Sequence, residues 1–282
     1  MALPRTMLAV LSFVIPLACS AVEIQSGTLH ATADEFGYVT QYSLDGGVTN
    51  ELWQLYGYIG NEYGVIPTAP GNSYSQFFDV DSFNTTATGI TSSLRLNALG
   101  AAELGLSAGD ILIDWAISVD GPPANRLLWS PTIRNAGASS MDLSFYAYLD
   151  LDINETENRD TAEGGLYGGA FGEGARRLIW TLAPSAQHYE AGPFPSVQSL
   201  LDNMTAASDL GDSGLPVSVP SDITAAWQFD LQLGAGDSAR LGMALATPEP
   251  GTLGLTLLGI GVGWVALARR RGQSRGQRLQ DG

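Results

Sequence analysis

The sequence predicts a mainly β protein: an antiparallel, sandwich-like body with one short helix, set between an N-terminal signal peptide and a single C-terminal transmembrane helix. Three observations predict it. Short runs of alternating apolar residues recur between glycine- and aspartate-rich turns, one segment switches to helical spacing, and each chain end carries an uncharged apolar run.

At the N-terminus, Arg5 precedes the uncharged run Met7–Ala18, which ends on the small residues Ser20 and Ala21. A positive start, a short apolar stretch and small residues form the pattern that signal peptidase cleaves. The run is too short for the ~20 residues that a spanning helix needs. Residues 1–21 are therefore expected to be a signal peptide. Cys19, the only cysteine, offers a second outcome, because a lipidated cysteine there would make the product an outer-membrane lipoprotein. If cleavage removes it, neither a disulfide nor a thiolate metal site is open to the mature chain.

Residues 22–247 form the expected extracytoplasmic domain. Strands are predicted at Thr28–Thr32, Tyr38–Leu44 and Leu52–Ile59, separated by Asp34-Glu35-Phe36-Gly37 and the hairpin-type turn Asp45-Gly46-Gly47. Ser75–Phe83 and Ser92–Leu99 follow. Ile111, Ile113, Trp115, Ile117 and Val119 then alternate with more polar positions, which marks a strand with one face buried. Leu127–Arg134 and Asp142–Ile153 predict a hairpin, with Leu143, Phe145, Ala147, Leu149 and Leu151 on one face. Arg177–Leu182, Ala225–Leu233 and Ala239–Ala246 complete the set; Trp227, Phe229, Leu231 and Leu233 alternate with Gln228, Asp230 and Gln232. The glycine-rich stretch Gly165–Gly174 and the stretch Gly211–Ser221 read as loops. Val197, Leu200, Leu201 and Met204 lie at i, i+3, i+4 and i+7, which predicts a helix over 196–208.

The tail has three parts in order. Pro248, Glu249 and Pro250 precede the uncharged segment 251–268, and Arg269, Arg270 and Arg271 follow it. Eighteen residues at about 1.5 Å each reach roughly 27 Å, close to the hydrocarbon thickness, and the arginines hold their end in the cytoplasm. Residues 248–272 resemble the PEP-CTERM sorting signal of Gram-negative bacteria. That resemblance implies an exosortase as processing partner, the inner membrane as an intermediate station, and a final place at the cell surface or in an exopolysaccharide or biofilm matrix. Residues 273–282 would remain as a polar cytoplasmic tail.

Composition narrows the function. Between residues 22 and 247 seven arginines face 27 acids, a net of −20, and the chain contains no lysine. Nucleic-acid binding, which needs cations to displace counterions from phosphates, is excluded as a partner class. No Gly-x-Ser-x-Gly, P-loop or His-Glu-x-x-His pattern occurs, so no catalytic residues are assigned. The densest polar segment, Asp150 to Asp160, places Asp150, Asp152 and Asn154 at the first, third and fifth positions of an EF-hand-like loop. Glu155 and Thr161 stand where such a loop needs glycine and a bidentate glutamate. Calcium is thus a candidate ligand of Asp150, Asp152 and Asn154, against the reading of a solvated loop. Trp53, Tyr56, Tyr58 and Tyr63, with Trp115, Trp129, Tyr146 and Tyr148, are candidates to stack on sugars, against the reading of core or sheet-face aromatics, and Tyr56 and Tyr58 share one strand face. The functional expectation is a non-catalytic surface or matrix protein that binds extracellular polysaccharide. The alternative is a secreted glycan-acting hydrolase with paired carboxylates.

Overall fold

The computed structural model describes residues 21–69, 76–156 and 159–247. Residues 1–20, which carry Cys19 and all but the last residue of the expected signal peptide, and the expected sorting tail with Pro248–Pro250, the segment 251–268 and Arg269–Arg271, lie outside the described residues. Among those described, no helix is long and apolar enough to cross a membrane.

The first half of the domain contains β1 (Val22–Ser26), β2 (Leu29–Ala33), β3 (Val39–Ser43), β4 (Gln54–Gly60), β5 (Val65–Pro67), β6 (Phe78–Thr86), β7 (Gly89–Leu96) and a short helix, α1 (Ala98–Glu103). Then come β8 (Ile111–Asp120), β9 (Arg126–Asn135), β10 (Met141–Leu151), β11 (Asp160–Gly165), β12 (Gly168–Glu173), β13 (Arg176–Ala183) and β14 (His188–Pro193). Helix α2 (Ser196–Asp202) leads to β15 (Val217–Ser221), β16 (Ile223–Leu233), β17 (Ser238–Arg240) and β18 (Gly242–Ala246). They build two antiparallel sheets. The first has the order β1-β2-β3-β4-β10-β16-β14, with β5 also on β4. The second runs β15-β11-β12-β13-β18-β9-β8-β7-β6, with β17 also on β9.

Alternation explains the layering. Odd positions of β8 from Ile111 to Val119 are all buried, and so are Leu143, Phe145, Ala147, Leu149 and Leu151 on β10. These faces meet in one core between the sheets, joined by Trp115, Trp129, Trp180, Phe171 and Trp227. Trp115 and Trp129 pack with ring centroids 4.7 Å apart, and the Trp129 indole donates to the Gly37 carbonyl at 2.7 Å. Gly37 has a φ of +82°, and a Cβ there would lie 2.4 Å from the Trp115 ring. A side chain is therefore excluded both by the backbone conformation and by the indole beneath it.

The antiparallel architecture agrees with the sequence expectation, and several elements differ. The domain has two α-helices rather than one. Helix α1 is capped by the Asn97 side chain, which accepts from the Leu99 and Gly100 amides, and α2 ends at Asp202, before the expected 208. Gly165–Gly174 is not a loop: most of it belongs to the β11–β12 hairpin. Glycine there removes the alternation that would reveal a strand, and Gly168 is needed because a Cβ would collide with the Trp180 carbonyl at 2.0 Å. Within Gly211–Ser221, β15 forms the edge of the larger sheet.

Candidate functional site

The outer face of the smaller sheet carries most of the unusual chemistry. β10 and β16 pair without interruption from Met141 opposite Leu233 to Leu151 opposite Ile223. Directly opposed residues share a face, so the residues left over by the core form one outward row: Asp142, Ser144, Tyr146, Tyr148 and Asp150 beside Gln232, Asp230, Gln228, Ala226 and Thr224.

The middle of this face is sealed. Tyr56, Tyr58, Tyr146 and Tyr148 form a second buried cluster with Ala226, Leu210 and the Val197 and Leu201 side chains of α2. Tyr56 packs on Tyr58 and on Tyr148 with centroids 5.2 Å apart in each pair, and on Tyr38 at 5.4 Å. Burial, helped by the charge of Asp202, pushes the Tyr56 hydroxyl up to about 12, against the lowering effect of its hydrogen bonds with Tyr58 and Gln198. Tyr56 and Tyr58 do share a face, as expected, but α2 covers it, so neither offers a ring to a sugar. Trp115, Trp129, Tyr146 and Tyr148 are buried too, while Trp53 and Tyr63 are exposed.

At one end of the row the face opens into a trough of about 490 Å³, lined by Asn61, Glu62, Asp142, Ser144, Asp230 and Gln232 among others. Its groups are held in place. The Gln232 amide donates to Asp142 at 3.2 Å, and Ser144 donates to Asp230 at 3.1 Å. Buried Gln228 donates to Asp230 at 2.7 Å and to Asp209 at 3.1 Å, while its carbonyl accepts from the Leu210 amide at 2.9 Å. Asp142 and Asp230 occupy diagonal positions across the two strands, a spacing of about 7 Å in such pairs. Asp230 also belongs to a group with His188 and Asp209 whose polar atoms lie within 4.8 Å of one another. The His188 Nδ1 is 2.9 Å from Asp212, and that hydrogen bond holds the imidazole pKa above its ordinary value against a smaller opposing effect of burial.

At the other end the row closes over carboxylates. Oxygens of Asp150, Asp152 and Asp222 lie within 4.8 Å of one another. Asp150 is only 2% exposed; burial first, then the charges of Asp222 and Asp152, push its pKa up to about 8. The Tyr148 hydroxyl donates to it at 3.5 Å. Asp160 is 1% exposed, and burial, with Asp152, Glu173 and Asp222 nearby, raises it likewise to about 8. The Ile153 amide pulls that value down somewhat, yet neither Asp160 oxygen has a partner in hydrogen-bonding geometry.

Of the three calcium-ligand candidates, the structure brings Asp150 and Asp152 together and sends Asn154 elsewhere. The Asn154 side chain donates to Glu173 at 2.8 Å and accepts from Arg176 at 3.3 Å, and Arg176 is itself paired with buried Glu51. The spacing of an EF-hand-like loop therefore does not describe this end of the sheet. Nor is Asp150 solvated as a surface strand residue would be. Asp222 is the neighbour that the local sequence does not reveal: it lies between β15 and β16, and no local pattern links it to Asp150, whereas Asp160 closes the same polar segment as Asp150.

The two packed antiparallel sheets form a β-sandwich, a fold this chain shares with several solved structures. Similar solved structures include a bacterial glucoamylase complexed with acarbose (TM-score 0.54, 10% identity, 83% of this chain), of which this chain covers only 34%. A galactose mutarotase related enzyme from Lactobacillus acidophilus matches with a TM-score of 0.54 and 9% identity over 81% of this chain and 97% of that one. A GalM/aldose epimerase homologue from C. elegans gives 0.50 and 13% identity over 82% and 99%. At these identities the likeness is one of fold. No family model and no curated protein matches the sequence.

Proposed function

We propose that this protein is an exported, surface-sorted carbohydrate-acting protein that takes a saccharide in the trough between Asp142 and Asp230. The observation that carries the reading is the diagonal placement of these two carboxylates, each oriented by a side-chain donor and both facing an open trough. Paired carboxylates about 5–9.5 Å apart are what glycosidic chemistry uses, one to protonate the leaving oxygen and one to activate or act as the nucleophile. Ser144 and Gln232 supply neutral polar groups for sugar hydroxyls. The fold it shares with the glucoamylase and the epimerase-like enzymes supports this reading over a purely structural matrix role.

The sorting part rests on residues 248–271. Strand β18 ends at Ala246, so the folded domain runs almost to Pro248, and an exosortase acting there would release it whole. Processing near Pro248, Glu249 and Pro250, with Arg269–Arg271 as the membrane stop, remains the route by which the domain would reach the surface.

The test incubates the full chain with oligosaccharides drawn from exopolysaccharides and follows both binding and bond cleavage or anomeric exchange. Asp142→Asn and Asp230→Asn are each expected to lower turnover by about 10²–10⁴-fold while binding weakens far less. Binding without turnover would leave the non-catalytic saccharide-binding reading, which the ready-made hydrogen-bonding surface of the trough also suits. Neither binding nor turnover would end both.

A further inference from the structure

We propose that Asp150, Asp152 and Asp222, joined by the Asp160 carboxylate, form a Ca²⁺ site that clamps the two sheets together at the end opposite the trough. Four observations carry it. The first three residues bring oxygens within 4.8 Å of one another, and two ligands on opposite sides of one Ca²⁺ lie about 5 Å apart. Asp160 adjoins them, since it pairs across the sheet with Ser221, the residue next to Asp222. It is 99% buried by its 1% exposure, and neither of its oxygens has a hydrogen-bond partner. A carboxylate so placed loses its hydration without compensation unless a cation or proton meets it. Finally, the Gln54 side-chain oxygen, on the strand position facing Asp150, is also buried without a hydrogen-bond donor.

The nearby arginines do not fill this role. Arg176 is engaged by Glu51 and Arg159 by Glu173. The donor set is made of oxygens alone, which suits a hard cation and disfavours metals that select nitrogen or sulfur. The topology says what the ion would do. Asp150 and Gln54 belong to the smaller sheet, Asp160 to the larger one, and Asp222 to the single residue between β15 of one sheet and β16 of the other. One ion would thus tie four chain segments across the sandwich, independently of what the trough binds.

The probe is Ca²⁺ alone, added to full-length protein stripped with EGTA. At a Ca²⁺ concentration about 100-fold above Kd, the melting temperature of the domain should rise by about 5–10 °C. Tb³⁺ in place of Ca²⁺ should show tyrosine-sensitised luminescence, since the Tyr148 hydroxyl lies 3.5 Å from Asp150. Asp222→Asn and Asp160→Asn should abolish both signals. Because each exchanges a crowded acid for a neutral amide of nearly the same shape, the metal-free variants should melt close to the stripped wild type, so a failure to fold would not be mistaken for lost binding. Asp209→Asn, beside His188, should keep both signals. Absence of a calcium-dependent shift in the wild type at millimolar Ca²⁺ overturns the proposal. So does retention of the shift in Asp222→Asn, or its loss in Asp209→Asn alone, which would assign the ion to the other acidic group.

Discussion

Gln228 donates to Asp230 at 2.7 Å from two residues back along the same strand, and the contact links the sealed interior of the smaller sheet to its open trough. The amide that orients Asp230 also reaches Asp209, and its carbonyl accepts the Leu210 amide. One buried side chain thus sets a trough carboxylate and anchors the segment that follows α2.

Gln228→Leu is expected to leave the Leu210 amide without its partner and to lower stability by about 1–3 kcal/mol, read from urea denaturation. Turnover on a saccharide should fall as well, because Asp230 loses one of its two side-chain donors. Unchanged stability would mean that water replaces Gln228 at no cost.

Gly37→Ala addresses the core. The new methyl group would need both a left-handed backbone and the space held by Trp115, so a loss of about 2–4 kcal/mol is expected in the same denaturation assay. Gly46→Ala, also at positive φ but with nothing nearby, should cost only the backbone share, about 1 kcal/mol.

The His188–Asp212 pair predicts a pH effect of definite sign. The folded-state pKa of His188 lies above its unfolded value of ~6.5. The stability that the pair contributes is therefore fully present below about pH 6.5 and disappears as pH rises through the folded pKa. An NMR titration should place the His188 midpoint above 6.5, and Asp212→Asn should bring it down. A wild-type midpoint at or below 6.5 would contradict the structure.

The tail makes its own prediction. Replacing Pro248, Glu249 and Pro250 with alanine in the native host should leave export intact and block tail removal, as seen by intact mass and by retention in the inner membrane. Proline lacks an amide donor and resists helix, so such a motif would be expected to stay extended above the proposed span, where a membrane peptidase could reach it. A mutant processed like the wild type would reduce the tail to a stop-transfer helix.

Much of the architecture was legible in the chain itself. The alternations of β8, β10 and β16 report which side chains face inward, since strand geometry puts successive residues on opposite faces whatever the partner strands are. Helical spacing at Val197, Leu200, Leu201 and Met204 likewise located α2, although its end was overestimated. The β11–β12 hairpin escaped because glycines carry no pattern, and α1 escaped because six residues, four of them alanine or glycine, show no apolar stripe. The sites were hidden for a different reason. Asp150 and Asp152 stand out locally, yet Asp222 meets them only because β16 returns antiparallel alongside β10, and Asp142 comes to lie diagonal to Asp230 through the same register. Which carboxylates are solvated and which are forced together depends on which strands become neighbours. That is decided by burying both sheet faces at once, a requirement that no short stretch of the chain contains.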